Sequence, residues 1–492
     1  MKKSLLILLF LSSCFTYSFS QAKQGLSTLQ FNSDKEFKIL QLTDLHWNEA
    51  ELEENKLNEQ LIHYLIKEEN PDLVLFTGDV VVDPPLLKGW KALGEIMKQA
   101  KKPWVVVLGN HDTEVKNQLS RQELHQYINQ LPYIIPSEAL DNYNLSSFAL
   151  PITNYNSNEC SHLLYCIDSN DYATNQEISH YAWIDWQQMN WYKKVSESYK
   201  QHSKESNLHA LAFFHIPLLE YNEIQGSTTF VGQMNEGSST ATLNSGFFCQ
   251  LVEQGDVKGV FVGHDHDNDA IGIYQDIALA FGRVTGYGAY GKLNRGGRII
   301  KLYQGEKRFD TWIHDKEVGI SNYYYYPSGI SKEEEESLCY LPSETDINTT
   351  DLLPGLNYSY FEARYQSVKE IHTKDLIAKG VSPDFSLSMA QRPDSFALVF
   401  EGFIEIEQEG VYDFYLTSDD GSQLFINQKL IVDNDGSHST RQRSARIALK
   451  AGLHPIKVLY FEDYMGQELI VSYSNKEMEK TPIPTTVLYR KQ

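Results

Sequence analysis

The stretch Phe261-Val262-Gly263-His264-Asp265-His266 reads as a buried strand ending in a glycine turn that presents two histidines. Four earlier stretches have the same form: Leu40-Gln41-Leu42-Thr43-Asp44-Leu45-His46, Leu73-Val74-Leu75-Phe76-Thr77-Gly78-Asp79, Val105-Val106-Val107-Leu108-Gly109-Asn110-His111-Asp112 and Leu211-Ala212-Phe213-Phe214-His215. Each apolar run delivers metal-ligating residue types at its C-terminal end. Packing alone does not demand that pattern.

The segments between these runs carry helical spacing. Leu57, Leu61, Ile62, Leu65 and Ile66 recur on one face before Asn70-Pro71-Asp72 stops the helix. Leu86, Leu87, Trp90, Leu93, Ile96 and Met97 predict a second helix, ended by Lys101-Lys102-Pro103. Strand and helix in alternation predict an α/β unit with right-handed crossovers. Further on, Trp183, Trp186, Met189 and Trp191 read as a core-facing stripe on a helix. Glu220 to Gly246, rich in Ser, Thr, Asn and Gly, reads as a long loop over the site. Short strands Ile277 to Phe281 and Arg298 to Tyr303 close the unit.

The composition shifts after Asp315. Tyr323 to Tyr326 and Glu333 to Glu336 read as linker, and from Leu352 short strands separated by Asp/Gly turns predict a β-sandwich. The expected division is 1–20 signal peptide, 21–318 first domain, 319–351 linker and 352–492 sandwich.

A chain of 492 residues exceeds one ordinary core. Its formal net charge of −22 argues against nucleic acid as a partner, although a positive metal site can still attract a small phosphate ester. Lys2 and Lys3 before the apolar run Leu5 to Leu11 predict an export signal. Cleavage after Ser18-Phe19-Ser20 would leave a periplasmic or secreted protein. The alternative, Leu11-Ser12-Ser13-Cys14 read as a lipobox, would anchor the protein at the membrane through Cys14. Beyond Cys14, Cys160, Cys166, Cys249 and Cys339 lack zinc-site spacing. Cys160 and Cys166 are near enough in sequence for a local disulfide, and free thiols are the other reading.

Asp44, His46, Asp79, Asn110, His215, His264 and His266 offer oxygen and nitrogen donors without cysteine, which suits Mn, Fe or Zn. They are too many for one tetrahedral ion and fit two divalent or mixed-valence ions sharing a carboxylate.

Asp-x-His, Gly-Asp, Gly-Asn-His-Asp, His and Gly-His-x-His, in this order and each after a strand, resemble the calcineurin-like metallophosphoesterase superfamily from Phe37 to Ile313. The resemblance implies a four-layer α/β sandwich, two β-sheets flanked by helices. It implies that Asp44, His46 and His266 hold one metal, that Asn110, His215 and His264 hold the other, and that Asp79 bridges. His111 would then be the general acid or a donor to substrate oxygen, with Asp112 orienting nearby groups. Hydrolysis of phosphate monoesters by a metal-bridging hydroxide follows. The alternatives are phosphodiesterase or nucleotidase chemistry, or a non-catalytic glycan-binding or adhesion protein. Gly282-Arg283-Val284-Thr285-Gly286-Tyr287-Gly288 looks like the purple acid phosphatase branch, with Arg283 and Tyr287, and nearby Tyr290, as candidate substrate contacts. Val82 stands where that branch carries a tyrosine ligand, so a coloured tyrosinate–iron site is not expected.

The C-terminal part, through Val411-Tyr412-Asp413-Phe414-Tyr415-Leu416-Thr417-Ser418-Asp419-Asp420-Gly421 and Ala451-Gly452-Leu453-His454-Pro455, is similar to the protective-antigen-type β-sandwich. That resemblance implies glycan binding, and calcium held by Asp419 and Asp420. Asp419-Asp420-Gly421 also reads as a plain hairpin turn.

Overall fold

The computed structural model describes residues 29–114, 119–136, 146–202, 208–345, 347 and 352–491. The leader, Cys14 and both cleavage readings lie outside these residues.

The first domain is built on strands β1 (Glu36–Leu42), β2 (Leu73–Thr77), β3 (Trp104–Val107), β4 (Phe148–Thr153), β5 (Cys160–Cys166), β6 (His209–Phe213), β7 (Val257–Val262), β8 (Ile271–Tyr274), β9 (Ile277–Phe281), β10 (Gly296–Tyr303), β11 (Phe309–Asp315), β12 (Gly319–Tyr326) and β13 (Ile330–Ser331). Its helices are α1 (Leu52–Glu69), α2 (Leu86–Ala100), α3 (Arg121–Ile128), α4 (Trp186–His202) and α5 (Phe247–Gln254). One sheet runs β13-β12-β11-β10-β1-β2-β3 and the other β4-β5-β6-β7-β9-β8. The strands that end in candidate ligands pair parallel: β1 with β2, β2 with β3, and β6 with β7.

Alternation along the strands explains the layers. On β2, Leu73 and Leu75 face the second sheet, while Val74 and Phe76 face α1 and α2. On β6, Leu211 and Phe213 point into the space between the sheets, and Ala210 and Ala212 toward α4 and α5. Strands buried on both faces read as continuous apolar runs, as parallel strands should. The result is helix, sheet, sheet, helix: the four-layer sandwich.

Three sequence expectations change. Residues 319–331, read as linker, form β12 and β13 and extend the first sheet. The tyrosine run alternates like any strand: Tyr324 and Tyr326 are buried, Tyr326 stacks on Phe309, and Tyr323 stacks on Trp312 from the other face. The tryptophan stripe holds only in part: Met189 and Trp191 pack half-buried against the core beneath α4, and Trp186 does not. Helix α4 begins only at Trp186, which is 71% exposed, and Tyr192 is the aromatic that α4 buries, with its hydroxyl on Asp256. Cys160 and Cys166 occupy the two ends of the seven-residue β5. At about 3.3 Å per residue they lie roughly 20 Å apart, out of disulfide reach.

The second domain is a sandwich of an eight-stranded and a four-stranded antiparallel sheet. Phe396–Ile406 pairs with Gly452–Glu462 in the larger sheet. Gly410–Asp419 runs between Arg441–Leu449 and Glu468–Asn475 in the smaller one. Leu398, Phe400, Phe414, Leu416, Val458 and Tyr460 fill the space between them.

Arg446 docks this sandwich on the first domain. Its guanidinium donates to both oxygens of Asp413 at 3.0 Å, to Glu334 Oε2 at 2.7 Å and to the Ser328 carbonyl at 2.9 Å. Substituting Arg446→Ala strands the buried Asp413 carboxylate, at a cost of about 3–5 kcal/mol. We expect a lowered midpoint in thermal unfolding and faster proteolysis near 328–337; an unchanged melt would remove Arg446 as the anchor.

Candidate metal centre

The segments leaving β1 and β2 lie side by side. Asp44 N donates to Gly78 O at 3.1 Å, His46 N to Asp79 O at 3.0 Å, and Trp47 N to Val80 O at 2.9 Å. This course requires left-handed backbone at four non-glycine residues: Asp44 has φ 53°, His46 46°, Asp79 50°, and His264 in the opposite sheet 78°. Each such residue costs on the order of 1–3 kcal/mol, and such strain collects at functional sites. The glycines permit the approach. At Gly78 (φ +92°) a Cβ would overlap the His215 ring, and at Gly263 it would strike Thr43 and lie 2.8 Å from Asp44 Oδ2.

Cross-sheet hydrogen bonds fix the two edges. His264 N donates to Asp44 Oδ2 at 2.9 Å, and Gln41 Nε2 to Val262 O at 3.0 Å. His215 Nδ1 lies 2.8 Å from Thr77 O. A carbonyl only accepts, so Nδ1 carries the proton and Nε2 is the nitrogen that faces the centre.

Two donor clusters result: Asp44, His46 and His266, and Asp79, His215 and His264. In the first, His266 Nε2 lies 3.2 Å from Asp44 Oδ1. In the second, His215 Nε2 lies 3.1 Å from Asp79 Oδ2 and 3.2 Å from His264 Nδ1. Asp79 Oδ2 is also 3.9 Å from His46 Nε2, and His215 Nε2 is 4.0 Å from Asp44 Oδ1, so the clusters are contiguous through the two carboxylates. His264 and His266 fall in different clusters, as alternate residues beyond one strand can.

Whether these residues fit metal ions is answered by their unused atoms. Asp44 Oδ1, His46 Nε2 and Asn110 Oδ1 are buried without a hydrogen-bond partner, although buried polar atoms are nearly always satisfied. Asn110 spends its Nδ2 on Tyr172 Oη at 3.1 Å, which leaves the carbonyl oxygen as its free donor atom. Oxygen and imidazole donors of this kind suit Mn, Fe or Zn. The electrostatics agree. Burial opposes charge on Asp44, but His266 and His215 prevail and hold it at about 2. Burial also opposes charge on Asp79, which His215 and His46 nevertheless hold far below the usual carboxylate range. Against the same burial, Asp79 raises His215 to about 9. Two buried carboxylates thus favour positive charge at this spot.

The supports are equally specific. Asp112 is fully buried and accepts from Asp79 N at 3.0 Å, Val80 N at 2.9 Å, Val81 N at 3.1 Å and Gly109 N at 2.8 Å. It therefore orients both Asp79 and the Gly-Asn-His turn. Arg121, paired with Asp168, donates to Gly109 O at 2.7 Å from the other side. Asp265 turns to the loop, accepting from Ser239 N at 3.1 Å, and burial raises its carboxyl to about 7.

His111 is 37% exposed, and its Nε2 lies 4.0 Å from Asp79 Oδ2. Arg283 is not a substrate contact. It is buried, ion-paired with Asp269 and Asp315, and bonded to Asn294 O at 3.0 Å, so its charge is spent on the framework. Tyr287 packs on the outer core beside α1, where its N–H donates to Asn58 at 2.9 Å. Tyr290 does reach the centre, its ring 4.0 Å from that of His266 and its hydroxyl 3.1 Å from Glu236. Tyr172, Tyr181 and Glu114 also border the centre and escaped the sequence reading. Tyr181 meets the His264 ring edge-on at 4.6 Å. Tyr172 and Tyr181 lie in no motif, whereas the spacing of Glu114, three residues after His111 at the end of the Gly-Asn-His-Asp motif, was a signal that could have found it.

In the second domain Glu462, unmarked by sequence, joins Asp419 and Asp420 in a third carboxylate group. Burial raises Glu462 to about 8, with Asp420 and Asp419 adding to it, and its Oε1 has no partner. Asp419-Asp420-Gly421 is not a hairpin turn: the strands it joins, Gly410–Asp419 and Ser422–Ile426, lie in different sheets.

Residues 37–268 match the family model described as Calcineurin-like phosphoesterase, and residues 353–486 match the PA14 domain. Over 318 residues the chain is 34% identical to the Arabidopsis thaliana protein named "Probable inactive purple acid phosphatase 29", covering 58% of this chain and 81% of that one. The chain belongs to the calcineurin-like phosphoesterase family. Another relative, "Phosphatase DCR2" of Saccharomyces cerevisiae, is 30% identical over 274 residues, 50% of this chain and 46% of that one. Among solved structures, a dimetal phosphatase from Danio rerio aligns with TM-score 0.41 and 12% identity over 59% of this chain and 98% of that one. This calcineurin-like phosphoesterase carries its PA14 domain after the four-layer domain.

Asp112→Asn replaces an acceptor oxygen with an amide facing N–H donors. We expect a loss of about 1–3 kcal/mol for each backbone group left unsatisfied. Chemical denaturation and metal analysis together should show lower stability and lower occupancy. Wild-type values for both would exclude the brace.

Proposed function

We propose that this chain is an exported two-metal phosphatase acting on phosphate monoesters. The observation that carries the reading is the pair of donor clusters contiguous through Asp79, with Asp44 Oδ1, His46 Nε2 and the nearby Asn110 Oδ1 buried and unused and His111 Nε2 facing the same Asp79 oxygen as His46. Asp44, His46 and His266 would hold one ion; Asn110, His215 and His264 the other; Asp79 would serve both. Two ions bound there supply Lewis-acid polarisation of a phosphoryl oxygen and activate water. The protein's own part is geometric. Asp79 fixes the spacing, Asp112 fixes Asp79, and His111 is placed to protonate the leaving oxygen. The names of the plant and yeast relatives put phosphatase ahead of diesterase. Export rests on the basic and apolar leader, Lys2 to Leu11.

The plant relative's name includes "inactive", so turnover is the first measurement. Purified protein reloaded with Mn, Zn or Fe after chelation should hydrolyse a chromogenic monoester faster than the matched diester. No turnover of either with metal bound stoichiometrically would end the enzyme reading in favour of a non-catalytic binding protein. Asp79→Asn should weaken loading at both positions; loss of one ion alone would argue against bridging. His111→Ala should keep metal and lose roughly 10²–10⁴ in rate.

A second role, for the PA14 domain, follows from the grouping of Asp419, Asp420 and Glu462. Hard carboxylate oxygens suit calcium, and we propose a calcium-dependent glycan site there. Full-length protein should bind immobilised glycans with calcium and release them on chelation. Asp420→Ala should abolish this without changing phosphatase turnover; binding that ignores calcium would remove the metal from the site.

A further inference from the structure

We propose that Glu114 and Tyr172 are positioning residues that aim His111 at the leaving group and set how well the centre handles poor leaving groups. This rests on the phosphatase reading above. Four side chains form a closed ring. Asn110 and His111 are consecutive. His111 Nδ1 is bonded to Glu114 Oε2, the other oxygen of Glu114 accepts from Tyr172 Oη at 3.2 Å, and Tyr172 Oη accepts from Asn110 Nδ2 at 3.1 Å.

Each link has one sense. Glu114 uses one oxygen for the imidazole and one for the phenol. With Nδ1 engaged, the ring of His111 presents Nε2, the atom 4.0 Å from Asp79 Oδ2. Tyr172 Oη has one proton and gives it to Glu114, so toward Asn110 it accepts. That leaves Oδ1, buried and unpartnered, as the free donor atom of the Asn110 amide. One tyrosine therefore orients a metal-ligand candidate and, through Glu114, the acid beside it. The ring is braced outward as well: Tyr172 stacks on Tyr181 at 5.8 Å, and Tyr181 meets His264.

Glu114 is about half exposed, and an exposed carboxylate–imidazole pair contributes little to stability. Its worth here is orientation. A general acid contributes only when its proton points at the departing oxygen, and the need grows with the basicity of that oxygen. Nothing else among the described contacts holds the His111 ring from its Nδ1 side.

The test compares wild type, Glu114→Ala, Glu114→Gln and Tyr172→Phe on two monoesters, p-nitrophenyl phosphate and an alkyl phosphate. Metal content is measured on each, and His111 is examined in crystal structures of the wild type and Glu114→Ala. We expect two ions per chain throughout for the Glu114 variants. Glu114→Ala should lose roughly 10–100-fold in kcat on the alkyl ester and less than about threefold on the nitrophenyl ester. Glu114→Gln, whose amide oxygen still accepts from Nδ1–H, should recover most of the loss. Tyr172→Phe should show the same split and also weaken one ion. Equal losses on both esters, or none, would overturn the proposal. If the wild type hydrolyses neither ester, the phosphatase reading fails, and the crystal structures still decide the positioning claim. An unchanged His111 ring in Glu114→Ala refutes it; a turned ring upholds it.

Discussion

The structure depends on one buried carboxylate, Asp79. One of its oxygens takes the His111 N–H at 2.8 Å, and the other faces His215, His46 and His111. Everything around it serves that placement. Its backbone is left-handed, Gly78 before it clears the His215 ring, and Asp112 takes its N–H. A carboxylate in low dielectric is costly unless positive charge and hydrogen bonds surround it. Here the surroundings come from both sheets, so the site forms only when the two edges meet.

That dependence explains what could be read from sequence. Each strand end carries its donor within a few residues, and Asp44, His46, Asp79, Asn110, His215, His264 and His266 are visible because chain-local turns deliver them. Asp112 was visible for the same reason. Arg283 misled because a glycine-rich segment after the last ligands looks like a substrate loop. Its actual partners, Asp269 and Asp315, are brought to it by the fold, and burial consumes its charge. Tyr172, Tyr181, Glu114 and Glu462 were hidden for the converse reason. The roles of Tyr172, Tyr181 and Glu462 exist only in partners distant in sequence, and that of Glu114, three residues from His111, is completed by the distant Tyr172. The tyrosine run of β12 failed on composition: repeated residues suggest low complexity, although alternation of faces is all a strand requires.

The PA14 sandwich shows the same division. Its strands follow from alternation and turn residues, whereas its attachment does not. Arg446 is an unremarkable arginine in a strand until the fold sets it against Asp413, Glu334 and the Ser328 carbonyl. Because β12 and β13 belong to the first sheet, the segment between the domains is shorter than composition implied. The short helix Lys332–Ser337, which follows β13 directly, is tied to the sandwich twice, through Glu334 to Arg446 and Glu335 to Lys476. The sandwich is therefore held against the first domain at several points.

A relative whose name includes "inactive" poses a physical question rather than a contradiction. Metal affinity and turnover draw on different atoms. Affinity follows from Asp44, Asp79 and the buried imidazoles, which would bind cations whether or not any ester is cleaved. Turnover also needs a proton delivered to the leaving oxygen, a role we propose for His111, the most exposed of the histidines at the centre. A chain can lose the second property and keep the first with no change in fold. Here His111 is present and held from its Nδ1 side by Glu114, which in turn is bonded to Tyr172. A purely structural metal site would gain nothing from orienting an exposed imidazole in this way, so the ring around His111 argues for catalysis more strongly than the seven donors do.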